Sequence, residues 1–90
     1  MKDFHRFPHE GVRHELEVVM AAFSGSPRYS FGSSGDGELT IRGPEATAYV
    51  RKYRNGRPGW RVHICPPGIK TQPEYPRERD EVLSMLRRAL

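Results

Sequence analysis

Ninety residues with an apolar share of only 36%, nine glycines and eight prolines argue against a helical bundle and for one loop-rich domain spanning 1–90 with a thin core. The single cysteine, Cys65, excludes an internal disulfide framework and a multi-thiolate metal site, and it fits a reducing, cytoplasmic setting. The formal net charge of +4 is unevenly spread: residues 28–70 hold eight basic against three acidic groups, whereas 1–27 and 71–90 are close to balanced.

The N-terminal "MKDFHRFPHE" lacks the apolar stretch of a signal peptide, and no run of about 18 apolar residues predicts a membrane span. Phe4 and Phe7 lie outside any periodic stripe. Residues 1–9 therefore read as a flexible arm, serving either as a staple on the first helix or as an aromatic contact for a partner. In "GVRHELEVVMAAF", Val12, Leu16, Val19, Met20 and Phe23 recur at helical spacing, with Arg13, His14, Glu15 and Glu17 on the wet side. "SGSP" stops that helix.

Strands follow. "RYSF" alternates Tyr29 and Phe31, and "GSSGDG" (32–37) reads as a turn. "ELTIR" sets Leu39 and Ile41 against Glu38, Thr40 and Arg42, and Gly43-Pro44 ends it. In "EATAYVRKYR", Ala46, Ala48 and Val50 oppose Thr47, Tyr49, Arg51 and Tyr53. "NGRPG" (55–59) reads as a hairpin loop. "WRVHIC" turns Trp60, Val62 and Ile64 one way and Arg61, His63 and Cys65 the other. The connection "PPGIKTQPEYP" leads to "PRERDEVLSMLRRAL", which opens on acidic Glu78, Asp80 and Glu81 and closes on Arg87 and Arg88, the polarity a helix dipole favours. Its apolar side is Val82, Leu83, Leu86, Ala89 and Leu90.

The expected fold is α+β, in the order α-β-β-β-β-α. An antiparallel sheet of three to four strands carries the N- and C-terminal helices on the face of Leu39, Ile41, Ala48, Val50, Trp60, Val62 and Ile64. The other face then holds Thr40, Arg42, Thr47, Tyr49, Arg51, Tyr53, Arg61 and His63, flanked by Arg54 and Arg57 in the hairpin loop. Arginine forks match phosphate oxygens and tyrosine rings stack on unpaired bases. The same residue types also suit a pleated, half-exposed surface and protein-interface hot spots.

Other chemistry is weakly supported. His5 and His9 are four apart, but Pro8 between them argues against the helix that would align them on a metal, so no metal site is expected. His63 and Cys65 share a strand face, yet no third group orients the imidazole, and Pro66-Pro67 follows at once. "GSSGDG" lacks the strand–loop–helix setting and the lysine of a phosphate-binding loop. Neither a catalytic constellation nor a cofactor is expected, and no family signature is visible.

The expected function is a non-catalytic binding module. Its site is Arg42, Tyr49, Arg51, Tyr53, Arg54, Arg57, Arg61 and His63, and its first-choice partner is DNA or RNA. The alternative is a small inhibitor or adaptor, of the kind mobile genetic elements encode, that binds and blocks a larger protein such as host nucleic-acid-processing or defence machinery. No membrane partner is expected.

Overall fold

The computed structural model describes residues 10–33, 37–53 and 59–90. Its elements are α1 (Glu10–Ala21), β1 (Ser30–Ser33), β2 (Glu38–Arg42), β3 (Thr47–Lys52), β4 (Trp60–Cys65) and α2 (Arg79–Ala89). The four strands form one antiparallel sheet in sequential order, with both helices on one face, as the alternation implies.

The core is what that alternation selects. Leu39, Ile41, Ala46, Ala48, Val50, Trp60 and Val62 from the sheet side meet Val12, Leu16, Val19 and Phe23 from the α1 side and Val82, Leu86 and Leu90 from the α2 side. Trp60 is the largest fully buried side chain. Burying one such group stabilises by about 1.5–3 kcal/mol, so a thin core of this kind rests on few residues. Ile64 and Met20 are only partly buried against it. Met85, outside the expected stripe of α2, also packs on the core: it lies one turn from Val82, on the side facing the 74–76 segment.

Helix ends follow local chemistry. The Ser24 hydroxyl donates to the Ala21 carbonyl at 3.2 Å and so caps the end of α1. At the start of α2 the Glu78 N–H donates to Glu81 Oε1 at 3.2 Å, and Asp80 and Glu81 occupy the first turn. The Arg79 guanidinium meets Glu15 Oε1 at 2.9 Å and ties the two helices together.

Two features depart from expectation. β1 runs over Ser30–Ser33 rather than over "RYSF", because Gly32 and Ser33 pair opposite Thr40 and Leu39 and so belong to the sheet instead of the turn. Tyr29 stands just before the strand. Its ring meets Phe23 edge-on at 5.3 Å, and its hydroxyl donates to the Leu90 carbonyl at 3.4 Å. The second departure is the connection after β4, which is not a free loop. Glu74 and Val62 exchange both backbone hydrogen bonds at 2.8 Å, and the Trp60 N–H donates to the Pro76 carbonyl at 2.9 Å. Residues 74–76 thus close the outer edge of β4 before α2 begins.

Candidate functional site

Strand register assigns the helix-free face row by row. Ser30, Arg42, Thr47 and Cys65 form one row across β1 to β4, and Gly32, Thr40, Tyr49 and His63 form the next. Glu38, Arg51 and Arg61 form a third across β2 to β4. The ladder continues one pair further, since the Tyr53 N–H donates to the Gly59 carbonyl at 3.0 Å. Cross-strand partners share a face, so Thr40, Arg42, Thr47, Tyr49, Arg51, Arg61 and His63 stand together away from the helices. Tyr53 continues the same side of the inner strand β3.

The result is a column down the middle of the sheet: Tyr49, Arg51, Tyr53, alternating ring and guanidinium at about 6.6 Å per step. All three side chains are part-exposed, as expected of a solvated sheet face. Arg42 is exposed at the β2 end, and a Cβ built at Gly32 would stand 3.7 Å from its Nη1. Its guanidinium therefore lies over the position where the edge strand has no side chain.

His63, Arg51 and Arg61 of the expected site have structural partners. The His63 ring Nε2 lies 3.1 Å from the Thr71 carbonyl. A carbonyl only accepts, so this nitrogen carries the hydrogen. Thr71 in turn donates its hydroxyl to the Ile64 carbonyl. His63 thus pins the 66–76 connection to β4. Arg51 and Arg61, directly opposed across β3 and β4, both face Glu38: Oε2 lies 3.9 Å from Arg51 Nη2 and 3.8 Å from Arg61 Nη1.

Among the described residues the face therefore carries three arginines against one carboxylate, and the carboxylate sits among the arginines. Glu38 was legible as a polar-face residue of "ELTIR". Its place beside the arginines depends on register, which periodicity does not supply. Arg54 and Arg57 lie outside the described residues, as do Phe4, Phe7, His5, His9 and Asp36.

Comparison with family models, with curated proteins and with solved structures finds no match for this chain. The site must be read from its own chemistry.

Cys65 is a half-buried free thiol two residues beyond a histidine whose Nε2 is already engaged. Among the described residues no three His, Cys, Asp or Glu groups converge on a point where a metal ion would sit. Among them, too, no helix is long and apolar enough to cross a membrane. Among the described residues two large apolar side chains are exposed, Ile69 and Tyr75, and both belong to the connection that borders β4.

Proposed function

We propose that this protein is a non-catalytic binding module that takes single-stranded DNA or RNA on its helix-free sheet face, in a cytoplasmic setting. The observation that carries the reading is the Tyr49–Arg51–Tyr53 column on the inner strand, flanked by Arg61 on β4 and Arg42 on β2. Tyr49 and Tyr53, about 13 Å apart along the strand, offer stacking surface to bases at two points of one chain, and the Arg51 guanidinium between them meets a backbone phosphate. Neither contact demands a particular base sequence. Duplex is the poorer ligand, because its bases are already stacked and a flat face does not enter a groove.

A second reading has its own support. Glu38 beside Arg51 and Arg61 lowers the positive potential of the face, while Ile69 and Tyr75 place exposed apolar surface on the connection that borders β4. Mixed charge with an aromatic anchor suits a protein interface, and an inhibitor or adaptor of a larger protein would use it.

Titration of labelled single- and double-stranded oligonucleotides at roughly 50 and 200 mM salt separates the two. The nucleic-acid reading expects single-strand binding that weakens steeply with salt. Replacing both Arg51 and Arg61 by Gln should flatten the log–log salt slope by about 1.4. No binding at the lower salt, or a slope unmoved by the double replacement, refutes it and leaves the protein-partner reading.

A further inference from the structure

Gly32 sits third in the four-residue edge strand β1, where the local backbone does not call for a glycine. Its φ lies outside the left-handed region, so any residue can adopt it. The register from Ser30↔Arg42 to Ser33↔Leu39 runs one for one, so β1 has no bulge here. The sheet is an open one of four strands, without a barrel corner to turn. Steric fit does not require glycine either. Among the described residues, a Cβ built there meets only Arg42 Nη1 at 3.7 Å, an ordinary van der Waals distance to the far end of a flexible side chain. A strand glycine gives up side-chain packing and backbone entropy, so this one weakens the edge it belongs to. The remaining use of a glycine in a strand is close approach by a ligand or another chain.

The open position is on the solvated side. Gly32 pairs with Thr40 and Thr40 with Tyr49, so the three form one row on the helix-free face, all part-exposed. Tyr49 stands two strands in from the edge, about 10 Å from Gly32 at the usual strand spacing. In this row only the short Thr40 side chain stands between them. We infer that the Gly32–Thr40 step is the seat of one nucleobase, stacked on Tyr49 and extending over the edge strand, with Arg42 at its rim meeting the phosphate of the same nucleotide. The inference rests on the nucleic-acid reading of this face and deepens it by assigning the position of one base. A base on the β2 side of Tyr49 reaches across Thr40 toward β1, and a side chain at position 32 would rise into that path. The Thr40 hydroxyl both donates and accepts, so it serves whichever base edge arrives. Arg42 is exposed, and its guanidinium already leans toward Gly32.

The test compares Gly32→Ala and Gly32→Val with the parent chain. Each is titrated at low salt with a fluorescein-labelled oligothymidylate and with an abasic oligonucleotide of the same length and charge, and each is melted. Both variants are expected to melt at or above the parent temperature, because alanine, and still more valine, suits a strand better than glycine. Gly32→Val should weaken oligothymidylate binding by about fivefold or more, the lower end of the loss of one stacked base, and Gly32→Ala by about twofold. The abasic chain should bind both variants within about twofold of the parent, since its phosphate contacts remain.

Weaker binding by a chain that is no less stable is the signature of a filled seat, which a merely structural glycine does not produce. If the parent binds oligothymidylate and Gly32→Val binds it equally well, the seat is overturned and the wider reading of the face stands. Equal weakening toward both oligonucleotides also overturns it, since the added side chain then acts through the phosphate contacts of Arg42. A lower melting temperature for Gly32→Ala would show that the glycine serves the fold, and overturns the seat as well. Failure of the parent to bind either oligonucleotide removes the seat and the nucleic-acid function together.

Discussion

Gly59 immediately precedes the strand that carries Arg61, and its replacement by alanine tests how tightly the 74–76 segment seals that strand. Gly59 has φ +32°, and a Cβ added there would stand 2.3 Å from the Pro76 carbonyl oxygen and 2.5 Å from Arg77 Cα. These are backbone atoms, so the collision cannot be relieved by a rotamer change. The chain leading into α2 must move by about an ångström, which breaks the 2.9 Å bond from the Trp60 N–H to the Pro76 carbonyl, a loss of about 1 kcal/mol. Loosened packing over the buried Trp60 and the strained φ add about 2–3 kcal/mol more. Gly68 supplies the control: its φ is +74°, but a Cβ there meets nothing within 4 Å. Gly68→Ala should therefore cost only about 1 kcal/mol, from backbone conformation. At about 4–8 °C per kcal/mol for a domain of this size, Gly59→Ala is expected to lower the melting temperature by about 12–32 °C and Gly68→Ala by about 4–8 °C. Far-ultraviolet circular dichroism and Trp60 fluorescence on heating measure both. Equal shifts for the two variants, or less than about 3 °C for Gly59→Ala, would refute the packing argument.

The other predictions concern the open face. Tyr49→Ala removes a part-exposed ring and should leave the melting temperature within about 3 °C of the parent. It should weaken single-strand binding by about 1–3 kcal/mol, and a loss confined to stability would contradict the stacking role. His63→Ala should do the reverse: it loses the bond to the Thr71 carbonyl, costs about 1 kcal/mol of stability in urea titration, and changes affinity by less than about twofold.

Much of the fold was legible because period-2 alternation is strict where it matters. Leu39 and Ile41, Ala48 and Val50, and Trp60 and Val62 are each buried in alternation, and that settles which face the helices cover. The same rule placed Arg42, Tyr49, Arg51 and Arg61 on the opposite face. What periodicity cannot supply is register. Glu38 falls beside Arg51 and Arg61 through the pairing of Glu38 with Arg51 and of Arg51 with Arg61, which depends on turn lengths and side-chain fit across strands. A basic, acid-free stretch in the chain thus became a mixed-charge row in space. Prolines in "PPGIKTQPEYP" likewise marked a loop, yet Glu74 lies between Pro73 and Pro76 with its own N–H, and that one donor suffices to pair it with Val62. The contact between His63 and Thr71 was illegible for the same reason: Thr71 arrives on that returning segment.

Binding of ligand on the helix-free face around β3 is tested most directly by backbone amide chemical-shift mapping. A ¹⁵N-labelled sample titrated with a short single-stranded oligonucleotide at low salt should show its largest shifts at Thr40, Arg42, Tyr49, Arg51 and Arg61, with the solvent-facing residues of α1 and α2 unmoved. Shifts concentrated on His14, Glu17, Ser84 or Arg88 would place binding on the helices and contradict the account.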